Sequence, residues 1–477
     1  MTKEELEKAA YFASWWSFYP DLALDLLAPK EGGIKLHLDQ RIFMRAGARF
    51  FSEHGCFNRG YGKCVSGDTM LFTSDGQREI GSYFDYQDDG NETVYDQDLK
   101  VVNRHGNTVS SNRGIYSGYK PTKKIVTKEG YHIECTYVHP LLVMNQDGTV
   151  DFKKAEEIKV GDKVVVSRNN GLFGTNTDIS CDDKLLEWVN TLSNQKKSHL
   201  SIRKMQNVLT EDFAYVIGLL IGDGCLTRDN VVIFSNNDED IITSYKKFMG
   251  ETFGVEIKKR NKYDYVIHDV YFRKYLEYIG LGKNDSHGKT VPSVILNAPR
   301  EIQKNFIAGL MDTDGSVERN VLSYCSVSKK MIEQVQIMLL NFGIISRMRE
   351  RHYKQFTHYI LTISGIDIEL YEKEIGFRCG RKVSRLTQLA SKKHNTNNDT
   401  IPFQKQYIAN LYNDVKRHNK YLYKEIQHIL SGECSISYDK LNLILSTEQV
   451  ESSSVYDHFV ELMNCHYYFA DVCEIKD

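Results

Sequence analysis

Two short acidic motifs carry the clearest chemical promise in the chain. VIGLLIGDG occupies 216–224 and IAGLMDTDG occupies 307–315, each an apolar run ending in aspartate and glycine. On a helix Gly218 and Gly222 share one face, as do Gly309 and Thr313, and small residues four apart let two helices approach closely. Packed side by side, such helices bring Asp223 and Asp314 together at their C-terminal ends. Two carboxylates that close repel unless divalent cations lie between them. A carboxylate–metal cluster suits in-line phosphodiester hydrolysis, with Mg2+ as the expected cation. One copy alone reads equally well as a buried helix with a glycine cap; the matched pair favours the metal site.

The elements that must position these aspartates are themselves repeated. Behind each motif follow a strand (VVIFSNN, then VLSYCSV), a helix, an FG pair (Phe253-Gly254, then Phe342-Gly343), two strands, a second helix and an IG doublet (Ile279-Gly280, then Ile375-Gly376). A period of roughly 90 residues held by several features at once is a duplication. It predicts two αββαββα units, at about 212–285 and 303–382, within a region spanning 205–395. The strands after the FG pairs carry Lys258, Lys259, Arg260 and Lys262 in the first copy, and Arg347, Arg349, Arg351 and Lys354 in the second. Alternation with Tyr263, Tyr265, Tyr353 and Tyr359 predicts one polar, basic face able to neutralise phosphates and reach base edges. A merely solvated strand face is the plainer alternative. Lys289, in GKTVP, and Lys382, in GRKVSRL, hold corresponding places in the two copies.

This pattern resembles the LAGLIDADG homing endonucleases. The resemblance implies a saddle of β-strands on double-stranded DNA, with the motif helices at the axis of a monomeric pseudo-dimer. It makes Asp223 and Asp314 the metal-binding acids and Lys289 and Lys382 the basic residues near the scissile phosphates. Ordinary surface lysines are the alternative for the last two. The first copy has Ile221 where the family usually has an acid.

The flanks have a different texture. Residues 65–170 are rich in short alternating apolar segments (TMLFT, KKIVT, HIECT, KVVVS) separated by DG, GN and NN turns, which predicts an all-β unit. Four segments there and at the far end resemble the Hint splicing domain of inteins. They are CVSGDTMLFTSDG (64–76), ECTYVHPLLV (134–143), FKKAEEIKVGDKVVVSR (152–168) and VYDHFVELMNCHYYFADVCEIKD (455–477). The resemblance implies that the Cys64 thiolate attacks the Lys63 carbonyl. Thr136 and His139 would polarise that amide and protonate its nitrogen, and His466 would assist later steps. The family ends in His-Asn; here Lys476 and Asp477 stand there, which leaves complete splicing in doubt. No cofactor is implied for splicing.

The expected organisation is therefore a multidomain α+β chain. A Hint domain in two parts, 64–170 and 448–477, is interrupted by the endonuclease. Residues 169–210 read as a polar linker with one helix, 396–447 as a helical block and possible DNA-recognition insert, and the tail from Val455 as strand-like. Residues 1–63 read as a short helical fragment whose NRGYGK resembles a deviant phosphate-binding loop of terminase-like P-loop ATPases, with Gln40 upstream and Lys63 as the phosphate ligand. The implied DNA target is the uninterrupted host gene.

With 61 basic and 63 acidic residues the chain is near neutral, so any DNA affinity must come from local basic groupings. No apolar run reaches the roughly 20 residues of a membrane span, and the acidic start is unlike a signal peptide. A cytoplasmic location is expected, which the terminase resemblance places in the host cell of a virus or prophage. The ten cysteines are scattered without a C-x-x-C pair, which predicts mostly buried thiols and no structural zinc site.

Overall fold

A computed structural model describes residues 64–83, 93–169, 171–283, 285–354, 356–392, 399–415, 420–432, 434–446 and 450–477. The ATPase-like fragment, with Gln40 and Lys63, lies outside the described residues.

The β-region builds two sheets. Gly76–Glu79, Met70–Thr73, Thr93–Val102 and Thr108–Tyr116 form one, in that spatial order. The other has six strands ordered His132–Thr136, Thr122–Thr127, Tyr467–Lys476, Lys163–Ser167, Pro140–Met144 and Val150–Lys154. Its third member comes from the far end of the chain. This closing strand pairs antiparallel with Lys163–Ser167 through its first half and with Thr122–Thr127 through its second, with a bulge between Val472 and Glu474. Ile125, Cys135, Val143, Val164, Ala470 and Val472 close the core beneath it, so the sheet's interior draws on both flanks of the duplicated region.

The duplicated region holds two mixed α/β halves of one plan. The first runs through a helix (Glu211–Asp223), strands Gly224–Cys225 and Val232–Ser235, a helix (Glu239–Phe253), strands Lys258–Lys259 and Asp264–Ile267, and a helix (Val270–Tyr278). The second repeats the order from Arg300–Thr313 to Asp367–Glu374 and adds a helix, Gly380–Ala390. Even the strand register repeats: Gly224 faces Phe234 as Gly315 faces Tyr324. One apolar core fills both halves.

Three expectations need correction. The 169–210 segment carries two helices, Asp182–Thr191 and Asn194–Lys197, and buries Cys181, Leu185, Val189, Met205 and Leu209 in the core of the duplicated region rather than acting as a polar linker. The block at 396–447 is helical, as expected. Its helices Lys405–Val415, Lys420–Ser431 and Tyr438–Leu445 share a core with Met144, Phe459, Tyr467 and Phe469, because their apolar faces cover one side of the six-stranded sheet. The tail is not all strand, since Tyr456–Asn464 is a helix. Of the nine described cysteines only four, Cys135, Cys181, Cys379 and Cys465, are buried; Cys64 is half-buried, and Cys225, Cys325, Cys434 and Cys473 are exposed. Among the described residues no helix is long and apolar enough to cross a membrane.

Candidate functional site

The two motif helices, Glu211–Asp223 and Arg300–Thr313, touch backbone to backbone. A Cβ added to Gly218 would lie 2.4 Å from the Phe306 carbonyl oxygen, one on Gly309 2.2 Å from the Tyr215 carbonyl oxygen, and one on Gly222 1.9 Å from Thr313 Oγ1. Only the missing side chains permit this approach. Thr210 begins the first helix by accepting from Phe213 N at 3.2 Å, and Pro299 precedes the second.

At the other end of the pair sit Asp223 and Asp314. Helix C-termini carry partial negative charge, so both carboxylates occupy a field that disfavours their ionisation. Burial raises Asp223, countered by Asn236 Nδ2 donating to its Oδ2 at 2.6 Å and by Lys382 and Lys289 nearby. Crowding by the surrounding protein, and then the Asp223 charge, push Asp314 up to about 6. Asp314 is nonetheless exposed to solvent. Asp223 and Asn236 also line one wall of a cleft of about 280 Å³, with Asp238, Tyr263, Arg381 and Lys382.

The lysines are placed symmetrically but neither is an ordinary surface lysine. Lys382 is buried, and its ammonium donates to the carbonyls of Met311 (2.8 Å), Asp312 (2.7 Å) and Gly315 (2.7 Å), with Thr313 at 3.3 Å. Burial lowers its pKa. Half-buried Lys289 donates to the Gly222 carbonyl at 3.0 Å. Each lysine thus caps the C-terminus of one motif helix and satisfies carbonyls that have no helical partner.

Two further residues escaped sequence reasoning. Asn236, at the end of its strand, orients Asp223. Asp312 takes the place of Ile221 in the second copy and is buried, accepting from Tyr215 OH at 2.8 Å and from the Arg378 and Cys379 amides. It ties the first helix to the start of Gly380–Ala390.

The basic strands lie at the sheet edges. Lys258, Lys259, Arg260, Lys262, Arg347, Arg349, Arg351 and Lys354 are all exposed. Arg260 is held by Asp264 at 2.8 Å, and Arg347 Nε donates to the Lys128 carbonyl at 3.0 Å. Tyr263 and Tyr353 are exposed as expected, whereas Tyr265 is buried in the sheet with its ring beneath Lys246 and Lys259, and Tyr359 packs on the core, so only two of the four tyrosines are exposed.

A second group of residues meets in the β-region. Cys64 N donates to Thr136 Oγ1 at 3.1 Å, Thr136 N donates to the Cys64 carbonyl at 2.9 Å, and Cys64 Sγ lies 2.9 Å from Ser117 Oγ. His139 follows in the same turn, its amide donating to the Thr136 carbonyl. Asp477 faces Lys123 across the sheet, with 3.4 Å from Lys123 Nζ to its Oδ1, which also accepts from Tyr137 OH. Lys123 faces Cys135, and Cys135 faces Val65. Asp477 and the Cys64 segment therefore lie three strand spacings apart, roughly 14 Å. His466 sits at the opposite end of the closing strand from Asp477, exposed and in a left-handed conformation (φ 52°), its carbonyl accepting from Arg168 N. Among the described residues its ring hydrogen-bonds to none of the other members of this group.

Comparison with known proteins adds the following. Residues 301–376 match the family model described as a LAGLIDADG-like domain. That span is most of the second copy; the first copy repeats its element order and register. The replication factor C small subunit of Methanocaldococcus jannaschii is 26% identical over 373 residues, covering 75% of this chain and 18% of that protein. The DNA gyrase A protein of Mycobacterium kansasii is 28% identical over 315 residues, covering 61% and 50%. The chain thus spans no more than half the length of either relative. Among solved structures, I-DmoI in complex with DNA and Mn is similar over 35% of this chain and 97% of its own, at 20% identity and a TM-score of 0.29.

Proposed function

We propose that this chain is an intein whose duplicated unit is a site-specific endonuclease making metal-dependent double-strand cuts in DNA. In this reading the split β-region splices the element out, beginning with an acyl shift at Cys64. The nuclease reading rests above all on Asp223 and Asp314 meeting at the C-terminal ends of two close-packed helices. Both carboxyls are raised in the metal-free protein, and the nearby ammonium groups are already engaged by carbonyls. A divalent cation is the missing positive charge, so these residues fit one. Mg2+ held by Asp223 and Asp314 would activate water and offset charge on the leaving oxygen.

The protein's own groups do the rest. Lys289 and Lys382 fix the helix ends that carry the acids. The arginine and lysine strands of the two halves neutralise backbone phosphates on either side. One acid from each half of a pseudo-two-fold unit faces one strand of an antiparallel duplex, which suits a double-strand cut by a monomer.

For splicing, the Cys64 sulfur attacks the Lys63 carbonyl carbon, a C–S bond forms, the C–N bond to Cys64 breaks, and the freed nitrogen takes a proton. That nitrogen is the atom held 3.1 Å from Thr136 Oγ1. The names of the relatives support an inserted element: replication factor C and DNA gyrase are different proteins, yet each matches most of this chain with half or less of its own length. The host proposed here is a terminase-like P-loop ATPase contributing 1–63, in the cytoplasm of a cell carrying a virus or prophage, and the DNA target is that gene without its insert. A second reading, in which splicing is lost and only DNA cleavage or binding remains, is favoured by Asp477. Its carboxylate is ion-paired to Lys123 where the family's cyclising asparagine would stand.

A plasmid carrying the uninterrupted host gene tests the nuclease. Mg2+-dependent linearisation is expected from the chain, and none from Asp223→Asn or Asp314→Asn, with gel-shift affinity nearly unchanged. Full cleavage by either variant would overturn the assignment. Dithiothreitol-dependent release of residues 1–63, followed by intact mass, separates an active Cys64 from a dead one.

A further inference from the structure

The hairpin of Thr93–Val102 and Thr108–Tyr116 ends in a tight turn locked by Asn103 Oδ1, which accepts from His105 N at 2.9 Å and Asn107 N at 3.0 Å. The turn carries His105 against the helix Tyr456–Asn464. There Glu461 and Cys465, four positions apart at the helix C-terminus, share one face. His105 Nδ1 stands 3.8 Å from Glu461 Oε1, and one donor atom of each of the three residues lies within 4.8 Å of the other two. An imidazole nitrogen, a carboxylate oxygen and a thiol sulfur thus converge, far apart in sequence and without any spacing that a C-x-x-C search would find.

We propose that His105, Glu461 and Cys465 bind a zinc-class divalent cation, with water at the fourth position. Tetrahedral zinc with bonds of about 2.0–2.3 Å puts its ligand atoms about 3.3–3.8 Å apart. Closing separations of up to 4.8 Å to that spacing requires shortenings of no more than about 1.5 Å. His105 and Glu461 are half exposed and have room for that movement, while the buried Cys465 gives the site a fixed wall. Glu461 is approached by Arg104 at 3.9 Å and by His105 at 3.8 Å, both beyond hydrogen-bond length, so its oxygens keep their capacity to coordinate. Thiolate and imidazole ligands favour zinc or cobalt over Mg2+, so the site is chemically distinct from the paired aspartates. A bound ion would pin the hairpin tip to the segment that opens the closing strand, where Tyr467 OH already donates to the Arg104 carbonyl.

The test uses the full metal-free chain and Co2+ as a spectroscopic probe. A thiolate-to-cobalt charge-transfer band saturating at one ion per chain is expected. It should persist in Cys64→Ala, vanish in Cys465→Ser, and require at least tenfold more metal in His105→Ala and Glu461→Gln. Zn2+ should bleach the band and raise the Tm of the parent chain. The exposed His105 and Glu461 variants keep the test open even if Cys465→Ser folds poorly. No band, a band lost in Cys64→Ala, or unchanged affinity in both exposed variants would overturn the proposal, and none of these outcomes depends on splicing or DNA cleavage.

Discussion

Replacing Gly218 by alanine inserts a single methyl group where the two motif helices meet backbone to backbone. Its carbon would sit 2.4 Å from the Phe306 carbonyl oxygen, 2.8 Å from Leu310 N and 3.1 Å from the Gly309 carbonyl carbon, all of them backbone atoms. No side-chain rotation relieves such contacts. Ordinary contact begins near 3.4 Å, so the helices must part by about 1 Å. Overpacking of this kind costs about 1–3 kcal/mol. On the proposed function the larger effect falls on cleavage: Asp223 and Asp314 ride on these helices, and a misplacement of about 1 Å can cost about 100-fold in rate. Gly250 provides an internal control. It lies in the helix Glu239–Phe253 with nothing within 4 Å of an added Cβ, so Gly250→Ala should stabilise by about 0.5–1 kcal/mol. Urea denaturation measures both stabilities, and single-turnover plasmid cleavage measures the rate. Wild-type cleavage and unchanged stability in Gly218→Ala would refute the close-packed axis as the device that positions the acids.

Three other outcomes follow from the same geometry. Asp314, raised to about 6, keeps its proton in the folded metal-free protein across the window in which the unfolded chain loses it. Metal-free stability is therefore full below about pH 4 and falls as pH rises through about 6, and the Tm increase given by Mg2+ should grow over that interval; a pH-independent increase would contradict this. Lys382→Met strands buried carbonyls and should cost about 3 kcal/mol or more, against about 1 kcal/mol for Lys289→Met, which frees one half-exposed carbonyl; equal losses in urea denaturation would count against the capping role. The double variant Arg349→Ala, Arg351→Ala should lower the slope of log affinity against log salt by about 2 if both residues meet phosphates, and an unchanged slope would remove that strand from the DNA interface.

The repeat was legible because it is written twice: glycine spacing, Asp-Gly ends, FG and IG pairs recur in step, and the fold has to honour all of them. Asp223 and Asp314 follow directly from that pattern. Lys382 was legible as a position but not as an environment. Its helix buries Lys382, Leu386 and Leu389 on one face, and that spacing of four and three was the overlooked signal that the lysine faces inward. The block at 396–447 announced amphipathic helices but could not announce their docking surface, since periodicity gives a face and not its partner. The same limit hid the packing of Leu185 and Val189 in the presumed linker. Asn236 and Ser117 gave no local signal at all: their roles depend on contacts 13 and 53 positions away.

The closing strand has a consequence for synthesis. Its two neighbours, Thr122–Thr127 and Lys163–Ser167, leave the ribosome about 300 residues before Tyr467–Lys476, which at about 5–20 residues per second means a wait of roughly 15–60 s. Throughout that interval the six-stranded sheet lacks an interior member, and two strand edges stand open to wrong partners. The duplicated unit, whose buried core is drawn from residues 179–390, can begin to fold while it waits. The nascent polypeptide therefore acquires its duplicated unit first, and the six-stranded sheet cannot be completed until its closing strand has emerged. Delaying the arrival of 467–476, by a translational pause placed just upstream, should prolong protease sensitivity of the β-region while leaving the duplicated unit resistant.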